Sequence, residues 1–222
     1  MQQVVPGVYA FSGLLMGRIY ALESVDGLTL VDAGLGLAAE KVLRQLQAAG
    51  HSASDVKRIL VTHAHPDHVG GLPRLQAVTG AQVVAHRLEC PVIEGKAPVA
   101  RRPTGIRLPA GKMKPAPVQC EVQGGEVLPE VLGGLRVIFT PGHAPGHVSF
   151  WQPERRLLFC GDVLMRLPRV RLPFAAFTVD MEENKRSVKK IAELDAAVVC
   201  FGHGRPLIDQ AAAQLRAFAA KF

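Results

Sequence analysis

The run His63-Ala-His65-Pro-Asp67-His68 limits what this chain can fold into more than any other stretch. It sets four cation-binding side chains straight after the apolar segment Ile59-Leu-Val-Thr62. Polar groups carried to the end of a buried strand need partners, because burying them without any is costly. Where the chain is extended, residues two apart point to the same side, so His63 and His65 can reach one ion together. Zinc–nitrogen bonds of roughly 2.0–2.1 Å require such rings to converge. Asp67 and His68 come after Pro66, where the chain leaves the strand, and suit a second ion beside the first.

The sequence uses the device again. Val137-Ile-Phe-Thr140 runs into a turn holding His143 and His147, as 59–62 runs into His63. These matching halves predict two β-rich layers meeting at one seam, with helices outside. His143 and His203, each at the end of an apolar strand, can add one nitrogen per ion. Asp162, in Cys160-Gly-Asp162, is a carboxylate able to bridge both ions, and Gly161 leaves room for close approach. Of the eight histidines, His51 and His86 read as structural. His147 reads as supporting a ligand or meeting substrate. Cys160, two residues before Asp162, is expected to point the same way and is assigned no role.

Periodicity supplies the scaffold. Strands are expected at 8–11, 19–23, 28–32, 58–62, 81–86, 135–140, 147–152, 157–160 and 197–201. Helices are expected at 37–49, closed by Gly50, and at 72–79, closed by Gly80. Two more should run from Asp180 with Glu183 to about 194, and over 206–220. Ser52 and Asp55 can cap one turn before the strand at 58. A proline-rich loop is expected over 95–118. Apolar residues form 48% and charged residues 20% of the 222, so one buried core over 1–222 is feasible and a disordered chain is not expected. No apolar run is long enough to span a membrane, and no basic leader opens the chain. Four separated cysteines read as reduced thiols. These features predict a cytoplasmic protein.

The net charge of +7 is uneven. Residues 95–120 hold Lys96, Arg101, Arg102, Arg107, Lys112 and Lys114 without an acid. That segment is either a solvated loop or a collar for an anionic small-molecule substrate. It has no aromatic residue on which a base could stack, so nucleic acid is not the expected partner. Residues 163–178 bring Arg166, Arg169 and Arg171 among Leu164, Met165, Leu167, Leu172, Phe174 and Phe177. They read as an apolar cleft with a cationic rim, or equally as the contact of a homodimer.

His63-Ala-His65-Pro-Asp67-His68, followed in order by His143, Asp162 and His203, resembles the full ligand set of dinuclear metallo-β-lactamase-fold hydrolases, in particular the glyoxalase II and lactonase branch. Asp32, in Leu30-Val-Asp-Ala-Gly34, matches the acid that family carries beneath its metal site. The resemblance implies an α+β fold, a four-layer αββα sandwich with the site at the edge between its sheets. It assigns His63, His65 and His143 to one ion and Asp67, His68 and His203 to another, with Asp162 shared. Asp32 would accept the outer N–H of a ligand histidine. Two divalent ions, zinc first with iron or manganese compatible, would acidify a bridging water towards a pKa of about 7. The implied activity is attack of that hydroxide, positioned by Asp67, on a thioester, lactone or lactam. Asp at 162 differs from the cysteine many zinc β-lactamases use. Glyoxalase II-like enzymes carry a further helical region for glutathione, so a glutathione thioester is not expected, while a smaller thioester stays open. An iron-dependent persulfide dioxygenase and a phosphodiesterase or nuclease are the alternatives.

Overall fold

The computed structural model describes residues 1–100 and 113–222. Its first sheet runs in sequence order through seven strands: β1 (Gln2–Val5), β2 (Val8–Ala10), β3 (Tyr20–Ser24), β4 (Gly27–Val31), β5 (Val56–Leu60), β6 (Gln82–His86) and β7 (Cys120–Val122). The first four pair antiparallel, β2 and β3 through a nine-residue loop and the others through two-residue turns, whereas β4 through β7 pair in parallel. Parallel neighbours need crossovers, and α1 (Ala38–Ala48), α2 (Pro66–Val69), α3 (Leu72–Thr79) and α4 (Cys90–Ile93) lie in them. The second sheet holds β8 (Val127–Leu128), β9 (Leu135–Phe139), β10 (Val148–Gln152) and β11 (Leu157–Gly161). A small ribbon, β12 (Met165–Arg166) with β13 (Val170–Arg171), follows. After α5 (Met181–Ala192), β14 (Val198–Phe201) joins β11 in parallel, and α6 (Ala211–Ala219) ends the pattern.

Alternation along the strands builds the layers. Ile59 and Val83 face outward to Val42, Leu46, Leu72 and Leu75 of α1 and α3. Leu60 and Val84 face inward to meet Val137, Phe150 and Phe159 of the second sheet. Leu158, Cys160 and Phe201 turn away from that seam onto Val188, Ile191 and Leu215 of α5 and α6. The architecture is the αββα sandwich, of the α+β class. Strands buried on both faces explain the unbroken apolar runs, and each fully buried Phe or Leu contributes about 1.5–3 kcal/mol. Among the described residues, no helix is long and apolar enough to cross a membrane, and all four cysteines are free.

Several boundaries differ from expectation. The last helix starts at Ala211, not at Pro206, because Leu207 is drawn into a two-way backbone pairing with Val199 and Gln210 adopts φ 50°. Leu37 is 93% exposed and adds nothing to the core face of α1. Strands β1, β7 and β8 and the ribbon escaped the sequence reading, being short edge elements with mixed burial. Of the basic loop at 95–118, residues 101–112, with Arg101, Arg102, Arg107 and Lys112, lie outside the described residues.

Candidate metal centre

Four strand ends on two sheets deliver the site. Past β5 the chain carries His63 and His65 across the seam, where Val148 N–H donates to Thr62 O at 2.9 Å. Pro66 then takes the first position of α2, where its missing N–H costs nothing, and the turn brings Asp67 and His68 round. His143 follows β9, Asp162 follows β11 and His203 follows β14. Gly161 adopts φ 53°, a conformation costly for other residues. It breaks the strand alternation, so Asp162 faces the site while Cys160 stays in the outer core. Cys160 does not point the same way as Asp162, contrary to expectation, and burial pushes its thiol well up.

The hydrogen bonds settle which ring nitrogens carry protons. Asp32 Oδ2 lies 2.8 Å from His68 Nδ1, and with the carboxylate oxygen accepting, Nδ1 bears the hydrogen. The Thr62 hydroxyl donates to Asp32 at 2.9–3.0 Å, which leaves its oxygen to accept from His63 Nδ1 at 3.1 Å. Thr178 donates to the Phe174 carbonyl at 3.0 Å and accepts from His143 Nδ1 at 3.2 Å. His63 and His143 therefore each turn a bare Nε2 inward, whereas His68, against its burial, is lifted well above the ordinary histidine range by the charges of Asp32, Asp162 and Asp67. His63 Nε2 and His143 Nε2 each sit 3.0 Å from His65 Nδ1, and one proton there could satisfy only one of them.

Three nitrogens bound tetrahedrally at 2.0–2.1 Å would lie about 3.3 Å apart, so this spacing fits a cation. His68 Nε2 and Asp162 Oδ1 are buried without a hydrogen-bond partner, although such atoms are normally satisfied. Candidate ligand atoms fall into three groups: His63, His65 and His143; His63, His68 and Asp162; Asp67, His68 and His203. Asp162 stands between the first and last, its carboxylate 3.5 Å from His68 and His143 and 3.2 Å from His203. The donor set suits metal ions.

The electrostatics agree. Burial, then neighbouring imidazoles, hold His63 well below the ordinary histidine range; burial does the same for His143 against the pull of Asp162. Neutral rings are what a metal requires. Burial opposes the charges of Asp67 and Asp162, yet His68 and His203 outweigh it and keep both carboxyls well below the usual carboxylate range. Burial likewise opposes a proton on His203, but Asp162 and Asp67 lift it to about 9.

The match to the Metallo-beta-lactamase superfamily model spans residues 12–203. The chain belongs to the metallo-β-lactamase superfamily. This metallo-β-lactamase superfamily chain is 29% identical to the probable metallo-hydrolase YflN of Bacillus subtilis (strain 168), over 80% of its own length and 75% of that protein. A hydroxyacylglutathione hydrolase of Cereibacter sphaeroides is 34% identical over 73% of the chain, which spans 52% of that relative. The crystal structure of a metallo-β-lactamase family protein from Thermus thermophilus superposes with a TM-score of 0.75 at 26% identity, covering 99% of this chain and 80% of that one. The chain thus stands among the metallo-hydrolases of that superfamily.

The structure brings all seven expected ligands together, with Asp32 behind His68. His147 does not face them with a free nitrogen. Its Nε2 accepts the Asp162 N–H at 3.0 Å, and its Nδ1 meets Thr140 at 2.9 Å, with Ser149 and the Cys160 carbonyl beyond. Burial drops its pKa to about 3. His86 stacks on Phe139 at 4.6 Å, away from the cluster.

Two features escaped the sequence reading. Glu89 is 4% exposed and accepts Ala64 N–H at 2.9 Å and Gly146 N–H at 2.7 Å, joining the two histidine turns. Nothing local marks it, since its partners are backbone groups far away in sequence. The other is the Gly13–Gly17 loop, which walls a cavity of about 480 Å³ over His65, Asp67, His143, Asp162 and His203. Its signal was an apolar triplet, Leu14-Leu15-Met16, set between glycines and outside any alternating strand. The opposite wall comes from 165–177, as expected, whereas 88–100 border a separate pocket of about 200 Å³ behind His65.

Proposed function

We propose that this chain is a dinuclear metal-dependent hydrolase that cleaves a carbonyl ester-type bond, a thioester first, with lactones and lactams in the same class. The observation carrying the reading is that the ligand groups overlap. His63 belongs to two of them and His68 to two, so two cation positions lie side by side at the floor of one cavity. Bound divalent ions, zinc foremost, supply an acidified water and a Lewis acid for the carbonyl oxygen. The protein's own groups do the rest. Asp67 is 18% exposed and ionised, placing a carboxylate at the cavity floor to orient the attacking water and accept its proton. His203 Nε2 lies 3.1 Å from that carboxylate, so the two groups would face the same ion. The apolar walls exclude bulk water and strengthen every charge interaction inside.

The relative named for hydrolysis of an acylglutathione, an S-acyl compound, favours the thioester within this class. Persulfide oxidation at a single iron would leave the Asp67–His68–His203 group without work, and phosphodiester cleavage has only the basic 95–120 segment in its favour. The deciding experiment is metal quantification followed by a panel of thioester, lactone, β-lactam and phosphodiester substrates. Two ions per chain with turnover of a carbonyl substrate is expected. One iron with oxygen uptake, or turnover of phosphodiesters alone, would overturn the reading.

A further inference from the structure

The mouth of the cavity is apolar and cationic at once. Leu14, Met16, Met165, Leu167, Phe174 and Phe177 line it, and several of them face water: Met16 is 52% exposed, Leu167 43% and Phe174 41%. Large apolar side chains gathered at a rim above a polar floor mark a ligand surface rather than chance exposure. Arg18 lines the same cavity, and Arg171 lies over the Phe174 ring at 4.3 Å. Neither is paired with a carboxylate among the described residues. The wall segments 11–22 and 163–179 contain no Asp or Glu. Among the described residues, the only carboxylates in the cavity are Asp67 and Asp162, both turned to the metal positions.

We propose that the substrate is an anionic amphiphile, an ester or thioester whose acyl group is a medium or long hydrocarbon lodged between the Gly13–Gly17 loop and the Phe174–Phe177 wall, with its negative group at Arg18 and Arg171. The inference takes its chemistry from the hydrolase reading above and adds the substrate class. Each methylene moved from water into such a cleft should improve binding about fourfold. An exposed arginine facing an anion gives a factor of about three. The lip selects for chain length and charge while the metal floor stays indifferent to both.

The test has two arms. In the first, metal-loaded protein is given acetyl, butyryl, octanoyl and dodecanoyl thioesters, each on anionic coenzyme A and on neutral N-acetylcysteamine. kcat/KM should climb steeply with chain length, and the coenzyme A series should stand about tenfold higher at low salt. Arg18→Met with Arg171→Ala should erase that gap, and Met16→Asp should flatten the chain-length slope. In the second, metal-free protein is titrated calorimetrically with butanoate, octanoate and octanamide. Octanoate should bind on the order of 200-fold more tightly than butanoate and more tightly than octanamide. Equal binding of the three, or turnover indifferent to chain length, overturns the substrate class while leaving the hydrolase reading intact. Chain-dependent binding without hydrolysis of any thioester, lactone or β-lactam sinks the hydrolase reading alone. A dimer that Met16→Asp converts to monomer, with the slope unchanged, assigns the lip to a second copy and also overturns the proposal.

Discussion

Asp32 Oδ2 lies 2.8 Å from His68 Nδ1, and through the Thr62 hydroxyl the same carboxylate sets the ring of His63. One buried acid thus decides where two imidazoles of adjacent metal groups keep their hydrogens. It sits at φ 63°, a left-handed conformation that Asp and Asn tolerate better than other residues with a side chain.

Asp32→Asn should therefore keep the backbone and lose the control over the rings. Metal affinity is expected to fall about 10–100-fold, measured by zinc competition against a chromophoric chelator, with little change in fold by circular dichroism. An unaltered zinc affinity would rule out this role for Asp32.

Glu89 gives a second prediction. Its carboxylate satisfies buried N–H groups of both histidine turns, and an unsatisfied buried donor costs about 1–3 kcal/mol. Glu89→Ala should lower the unfolding free energy by about 2–6 kcal/mol in urea titrations. Glu89→Gln should fall between, because its amide offers one acceptor and aims an N–H at the other donor. Wild-type stability in the Ala variant would mean that the two turns need no tie.

Gly202 is packed against the site so tightly that an added Cβ would overlap Asp162 Oδ1 and come within 2.9 Å of His68 Cε1. Gly202→Ala should bind less than one equivalent of zinc while remaining folded, as read by metal analysis after dialysis. Full loading would show that Asp162 can be displaced without harm.

The pH dependence follows from His203. Its proton is held until about pH 9 in the metal-free protein, against 6.5 ordinarily. A raised histidine stabilises the fold fully below its ordinary value and loses that contribution as pH climbs through the raised one. Metal-free protein should thus become less stable between about pH 6.5 and 9. A metal ion must displace the same proton, so zinc affinity should rise over that window. Calorimetry at pH 7.5 in buffers of different ionisation enthalpy would count the protons released; a count of zero contradicts the assignment.

Much of this was legible in the residues. The spacing from His63 to His68, and the placement of His143, Asp162 and His203 at strand ends, announced the cluster because metal ligands follow strand geometry. Buried strands such as β10 and β11 showed as apolar runs, and Ser52 and Asp55 cap their turn as read. Long-range backbone recognition stayed hidden: the partners of Glu89 are the N–H groups of Ala64 and Gly146, which no side-chain pattern encodes. Leu207 looked helical because its pairing with Val199 depends on the fold already being formed. The Leu14–Met16 triplet showed as apolar, but only tertiary structure set it against Phe174.

Each of the outer ligand groups draws on both sheets. His63 and His65 leave the first and meet His143 from the second, while Asp67 and His68 leave the first and meet His203 from the second. Any cation seated there is a rivet through the sandwich, joining halves that otherwise adhere by their greasy faces and a few hydrogen bonds such as Val148 N–H to Thr62 O. Its removal would loosen the whole assembly as well as silence it, so a chelator should act on this protein as a mild denaturant.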